Sequence, residues 1–135
     1  MTLRKKNCDE VVKDGRFRKA IQFLSAAETI RELADREDEI GDAYVTLCVH
    51  AGIAAADVIC CHALGYHVQG QDHGSAIAEL SRVQPDGREL GHALRVLLSN
   101  KTRAEYGEYA ISADQRKRAG RAAERLVEAA RQRHI

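Results

Sequence analysis

The sequence predicts an all-α fold: an up-and-down bundle of four long helices plus one short helix. The chain of 135 residues contains one proline and only 4% aromatic residues, a composition that favours helix. Apolar residues recur at spacings of three and four, and no segment alternates apolar and polar residues as a half-exposed strand would. The length fits one domain, so we assign residues 1–135 to a single helical bundle.

The first two helices are predicted on either side of an acidic connector. Residues 1–13 are expected to form a loosely ordered N-terminal segment, and helix 1 is predicted over 14–33. The stretch ADREDEIGD then leads into helix 2, predicted over 42–64, which is apolar over most of its circumference. Because a helix that is apolar all round is normally central, we expect helix 2 in the middle of the bundle.

Small residues and polar interruptions define the character of helix 2. Gly52 and its alanine neighbours leave little side-chain bulk, so adjacent helices can approach closely. His50, Asp57 and His62 interrupt the apolar run, which argues for a buried core helix and against a membrane span. No membrane partner is expected.

The remaining helices are predicted from loop and capping signals. A short helix, 74–83, follows a glycine-rich loop. Asp86 and Glu89 have the N-cap and N3 spacing of a capping box, which predicts the start of the next long helix. Ser112 and Gln115 repeat this spacing and predict the start of the closing helix.

Charge and cysteine content narrow the function classes. The net charge is +1, from 21 basic and 20 acidic residues, so no global field favours nucleic acid, membrane or an acidic ligand. The N-terminus lacks the apolar run of a secretory signal, which predicts a cytoplasmic protein. The cysteines show no CxxC spacing and are expected to be reduced thiols. They are Cys8, Cys48, Cys60 and Cys61.

A polar cleft is predicted where helix 2 meets the end of a later core helix. Asp57 lies inside the most apolar helix, and an unpaired carboxylate there would be costly. Lys101 and Arg103 are its natural partners, although Asp57 facing a wet edge of the bundle is an equal alternative. Glu105 and Tyr106 complete the predicted cleft.

The simpler interpretation of this basic cluster is helix capping. Lys101 and Arg103 can complement the C-terminal dipole of the preceding helix or bind its last free carbonyls. That role explains the charges. It does not explain Tyr106 and Tyr109, two of only four tyrosines in the chain.

Histidines, cysteines and arginines offer weaker alternatives. A metal site could use His50, Cys61 and the histidines around the loop after helix 2, but no recognised ligand spacing such as HExxH is present. We therefore predict no metal and no cofactor. Arginines of the closing helix could form a basic stripe for phosphates, but interleaved glutamates make surface ion pairs the simpler interpretation.

The helix pattern resembles the HEPN superfamily of small helical domains. The stretch DAYVTLCVHAGIAAADVICCHALGYHVQGQDHGSAIAEL is similar to the family's central helix, loop and short helix, and LRVLLSNKTRAEYGEYAISADQRKRAGRAAERLVEAAR is similar to its helix, polar motif and closing helix. This resemblance implies a four- or five-helix bundle that pairs as a homodimer, with the polar motif near the dimer cleft.

Many HEPN members are metal-independent ribonucleases with a motif in which four to six residues separate an arginine from a histidine. The resemblance implies an arginine that binds the scissile phosphate and a histidine that moves protons. Here Lys101 takes the arginine's place with Arg103 beside it, and Glu105, followed by Tyr106, stands where the histidine would be.

Arg88 and His92 have only three residues between them, one short of the motif, and lie earlier in the chain. We regard this pair as a coincidental near miss. It does keep an enzymatic interpretation open.

The sequence therefore predicts a non-catalytic, HEPN-like dimeric helical module. Its expected ligand is a nucleotide, an RNA or a cognate protein partner, within a toxin–antitoxin or other defence system. The alternative is a divergent metal-independent endoribonuclease. In that case Lys101 or Arg103 would bind phosphate, and Tyr106, Glu105 or His92 would transfer protons.

Overall fold

The computed structural model describes residues 3–134, and the fold is mostly helical. The prediction of an all-α class is confirmed at this level. A short antiparallel sheet, which the sequence did not predict, joins the N-terminal segment to the chain after the central helix. In chain order the elements are β1 Lys5–Asn7, α1 Glu10–Leu33, a 3₁₀ turn Glu37–Ile40, α2 Gly41–Leu64, β2 Tyr66–Val68, α3 His73–Ser81, α4 Gly87–Ser99, α5 Lys101–Tyr106 and α6 Ala113–Arg133.

Part of the segment predicted to be loosely ordered has regular structure. Lys5, Lys6 and Asn7 pair with β2, with Lys6 opposite His67. Helix α1 starts earlier than predicted because the Asp9 carboxylate accepts a hydrogen bond from the Val12 N–H at 2.9 Å. Met1 and Thr2 of this segment lie outside the described residues.

Helix α2 is central, as its apolar circumference predicted. It packs against α1 and α6 on its long sides and also contacts α3, α4, α5 and β2. A Cβ added at Gly52 would collide with the Leu97 side chain of α4. This glycine therefore permits the close approach of α2 and α4.

One of the two predicted capping boxes is confirmed. The Ser112 side chain accepts from the Gln115 N–H at 3.1 Å, and the Gln115 side chain accepts from the Ser112 N–H at 2.9 Å. The prediction for Asp86 and Glu89 is confirmed in part: α4 begins directly after Asp86, which occupies the N-cap position, but the capping box does not form. Asp86 has left-handed backbone conformation (φ 69°) and no capping hydrogen bond, and the Arg125 guanidinium of α6 binds both carboxylates instead.

By length and composition alone, the segment Glu37–Leu64 could cross a membrane, with a mean hydropathy of 1.7 over its most apolar window. However, 61% of that window is buried inside the fold. A central core helix passes the same test, so this is weak support for a membrane span.

Candidate functional site

The residues of the predicted polar cleft fall into two separate clusters. One is centred on Asp57 of α2 and the other on Glu105 of α5. Asp57 pairs with Arg16 and His67, whereas Lys101 pairs with Glu105. The predicted pairing of Asp57 with Lys101 or Arg103 is therefore wrong. Cations from other elements are already in contact with Asp57, and the Lys101 ammonium is bound within its own helix.

The first cluster is formed by three different elements. Arg16 of α1 places its Nε 2.8 Å from Asp57 Oδ2, and His67 of β2 places its Nδ1 3.4 Å from Asp57 Oδ1. The Asp57 side chain is 13% exposed. Burial raises the pKa of the Asp57 carboxyl above its ordinary value, and the charges of His67 and Arg16 act in the opposite direction.

The backbone determines the orientation of His67. Its Nδ1 lies 3.0 Å from the Val68 carbonyl oxygen. Because a carbonyl only accepts hydrogen bonds, Nδ1 is the nitrogen that donates in this contact. The carboxylate and the adjacent carbonyl thus hold the ring in one tautomer.

The second cluster is centred on Glu105. Lys101 Nζ lies 3.0 Å from Glu105 Oε2, and His50 Nε2 lies 3.9 Å from Glu105 Oε1. Phe23 packs against the His50 ring, with the ring centroids 5.3 Å apart. The Glu105 carboxylate thus compensates the Lys101 charge locally, so the pair leaves no excess positive charge for a phosphate.

Beside this second cluster, a wide groove of about 730 Å³ runs between α2 and α5. We call it the α2–α5 groove. Tyr106 is 82% exposed at this groove. The lining side chains are Asp42, Ala43, Thr46, Leu47, His50, Lys101, Ala104, Glu105 and Tyr106.

Asp57 and Lys101 do reach a common space without pairing. Both line a cavity of about 240 Å³ that also touches His50, His73 and Leu94. This cavity lies between helix 2 and the end of the later core helix, but Arg103, Glu105 and Tyr106 of the predicted cleft do not line it. Its charges belong to two separate ion pairs.

The other predicted residues lie apart from the two clusters. Arg103 is exposed and forms no ion pair within residues 3–134. Tyr109 is 73% exposed and does not line the α2–α5 groove. Arg88 and His92 are exposed on α4, and His92 lines a shallow groove with arginines of α6 that does not include Arg88.

The cysteine prediction is wrong for one pair. Cys8 and Cys61 form a disulfide, with Cα atoms 5.4 Å apart and a sequence separation of 53. Cys48 and Cys60 are free and buried, and burial raises their pKa to about 11 and about 12. These two thiols are therefore protonated and unreactive at neutral pH.

The described part of the chain holds no group of three or more histidine, cysteine, aspartate or glutamate side chains placed to bind a metal ion. His50 and Cys61, which the metal alternative combined, have other contacts. His50 faces Glu105, and Cys61 is in the disulfide.

The sequence did not predict Arg16 or His67 as partners of Asp57, and His50 and His67 were candidates only for a metal site. The one available signal concerned His50, which shares a helix face with Asp57 at a spacing of seven residues. No local pattern connects Arg16 to Asp57, because the two residues are 41 positions apart.

No protein-family model matches this chain, and no curated protein is significantly similar to it. The HEPN resemblance accordingly stays a prediction.

Proposed function

We propose that this protein is a HEPN-like, non-catalytic helical module that forms a homodimer through the α2–α5 groove. As a dimer it would bind a nucleotide, an RNA or a cognate protein partner, as in toxin–antitoxin or other defence systems. The observation that carries the proposal is the exposed Tyr106, which lies beside the residues of α2 that line the α2–α5 groove. We call these residues the open strip of α2.

The open strip of α2 has the spacing of one helix face. Ala43, Leu47 and His50 follow one another at three- and four-residue intervals and line the α2–α5 groove. Most of the circumference of α2 is buried in the core. An exposed aromatic side chain next to an apolar floor is typical of a protein–protein interface and of its binding hot spots.

The charges of this groove suit pairing with an identical copy. Asp42 and Glu105 supply negative charge, and Lys101 supplies positive charge on the same face. A two-fold interface brings one patch against its own copy, so a patch with both signs can complement itself. A patch of one sign would repel its copy.

The absence of catalysis in this proposal rests on Glu105. In the related ribonuclease pattern a histidine would stand near this position, and a free cation would bind the phosphate. Here the Glu105 carboxylate lies 3.0 Å from Lys101 Nζ. An incoming phosphate would compete with that carboxylate and would be repelled by it.

Two tyrosines provide a matched test of the dimer. The Tyr106→Ala variant removes the exposed ring at the α2–α5 groove, and Tyr109→Ala removes a similarly exposed ring outside it. We expect light scattering to give twice the 14.9 kDa chain mass for the wild type. Tyr106→Ala should weaken the dimer by about tenfold or more, while Tyr109→Ala leaves it unchanged. A wild type that is monomeric at all concentrations would refute the dimer.

The second candidate function is a metal-independent endoribonuclease, which the position of His50 favours. Its imidazole lies beside Glu105 and Lys101, where a proton-transfer group would be needed. This candidate predicts RNA cleavage in EDTA. Activity should fall by roughly 10²-fold or more in His50→Ala. It should not fall in His92→Ala, because His92 lies on the separate shallow groove between α4 and α6. No cleavage of a broad RNA panel would remove it.

The cytoplasmic location expected from the sequence also stays a proposal. The Cys8–Cys61 disulfide argues against this location, because disulfides are rare in cytosolic proteins.

A further inference from the structure

A second groove lies on the other side of the Asp57 cluster, between the first half of α1 and the β1–β2 sheet. We call it the hairpin groove. Its volume is about 410 Å³, within the range of small-molecule sites. The lining side chains include Lys6, Arg16, Lys19, Asp57 and His67.

The hairpin groove is locally basic, although the whole chain is nearly neutral. Lys6, Arg16 and Lys19 line it, and Asp57 is the one carboxylate among its described lining residues. Lys6 and Lys19 form no ion pair within residues 3–134. The Arg4 guanidinium reaches the rim, where it lies 3.4 Å from the position of a Cβ built on Gly70. The groove thus carries excess positive charge.

Asp57 prepares Arg16 for an anion without consuming all its donors. The ion pair uses Arg16 Nε, at 2.8 Å from Asp57 Oδ2. The two terminal amino groups of Arg16 make no hydrogen bond within the described part of the chain. A guanidinium held by a buried carboxylate through one edge keeps its remaining donors for a phosphate.

Gly15 of α1 is the residue at which the groove comes closest to an uncovered helix backbone. A glycine in a helix interior makes the helix less stable than an alanine would, so a glycine there usually has a packing reason. At Gly15 a Cβ would meet nothing within 4 Å, and this residue lines the hairpin groove. Packing within the described chain therefore leaves the space beside the α1 backbone at Gly15 open to the groove.

We propose that the hairpin groove binds a small phosphate-bearing ligand of about the size of a mononucleotide. Lys6 and Lys19 neutralise its phosphates, Arg16 donates hydrogen bonds to them, and Gly15 lets the ligand approach the α1 backbone. This site is separate from the α2–α5 groove, and the proposal does not rest on dimer formation.

Isothermal titration calorimetry on the full chain tests this site, with inorganic pyrophosphate and a nucleoside triphosphate as probes at low salt. Lys19→Glu reverses a lining charge. Arg18→Glu makes the same charge change at the preceding position of α1, where the side chain is exposed and outside the groove. We expect Lys19→Glu to weaken binding by about tenfold or more, and Arg18→Glu by less than about threefold.

The outcomes separate the possible ligands. Tighter binding of the triphosphate than of pyrophosphate supports a nucleotide, and equal binding supports a ligand recognised through its phosphates alone. Equal weakening by the two substitutions would overturn the proposal, because it would show a general charge effect. A single-stranded RNA that binds when neither small probe does would overturn it as well.

Gly15 offers a check that does not depend on charge. Gly15→Ala should raise the melting temperature but lower the affinity for pyrophosphate, because its methyl group would hold the ligand away from the α1 backbone. Gly15→Leu, whose side chain would enter the groove, should reduce the affinity by about tenfold or more. Unchanged affinity in Gly15→Leu, with an intact far-UV circular dichroism spectrum, would contradict the proposed position of the ligand.

Discussion

Asp57 of α2 and Glu105 of the neighbouring α5 are both carboxylates whose side chains are 13% exposed, yet their partners have different origins. Asp57 is held by Arg16 from α1 and His67 from β2, so its cluster joins three elements. Glu105 is held by Lys101 one turn earlier in the same short helix. We infer that the first cluster stabilises the fold. The second can rearrange at little cost when a partner binds.

The disulfide should give the largest difference between the two regions. It attaches the segment before α1 to the end of α2, next to the strand that carries His67. Closing a loop with a sequence separation of 53 is expected to contribute about 3–4 kcal/mol to the free energy of unfolding. Urea unfolding with and without reductant measures this loss. The Cys8→Ser variant, which cannot form the bond, should not respond to reductant.

Hydrogen exchange locates the effect of reduction. Amides of β1 and β2 should lose protection when the disulfide is reduced, and amides of α5 should keep theirs. Equal loss in both regions would contradict the separation of the two clusters.

Removing one cation from each cluster should give the next largest difference. Arg16→Met leaves Asp57 buried without its closest partner, so we expect the free energy of unfolding to fall by about 2–4 kcal/mol. Lys101→Met breaks a pair within one helix and should cost less than about 1 kcal/mol. Denaturant unfolding of the two variants provides the comparison. Equal losses would show that the Asp57 cluster has no special structural role.

The pH dependence should give the smallest effect, and its sign is specific. The folded-state pKa of Asp57 lies above its unfolded value, so the folded state holds this proton more tightly. Relative to Asp57→Asn, the wild type should lose stability as the pH rises from the unfolded pKa through the raised folded pKa.

Glu89 provides a control of opposite sign. The hydrogen bond and charge of Arg125 lower the pKa of Glu89, so its contribution is present above the unfolded pKa and is lost as the pH falls through the folded one. Urea unfolding of Asp57→Asn and Glu89→Gln at several pH values should therefore give opposite trends. Parallel trends would contradict the assigned shifts.

The features that could be predicted from the sequence are those determined within one helix. The central position of α2 followed from its apolar circumference, and the Ser112 capping box followed from a three-residue spacing. The spacing of Asp86 and Glu89 predicted the start of α4 but not the contacts of the two side chains, because Arg125 of α6 binds both carboxylates. A local signal was overridden there by a tertiary contact.

The candidate sites depend on contacts between distant segments, which spacing does not encode. Nothing local indicates that Arg16 reaches Asp57, since that contact depends on how α1 packs along α2. The three-residue strands β1 and β2 are too short for a visible alternation of apolar and polar residues. The pairing of Cys8 with Cys61 was equally hidden, because the sheet formed by these strands brings the two cysteines together. The sequence contains the residues of both clusters, but it gives no local sign of which residues contact one another.

We propose that the dimer forms at the α2–α5 groove and that the region around Asp57 lies outside the interface. Ala43→Glu adds a charge at an exposed position of the α2–α5 groove in the first turn of α2, where glutamate suits the helix. Lys19→Glu changes the hairpin groove instead. Sedimentation equilibrium should show a monomer for Ala43→Glu and a dimer for Lys19→Glu. A dimeric Ala43→Glu, or a monomeric Lys19→Glu, would contradict the account.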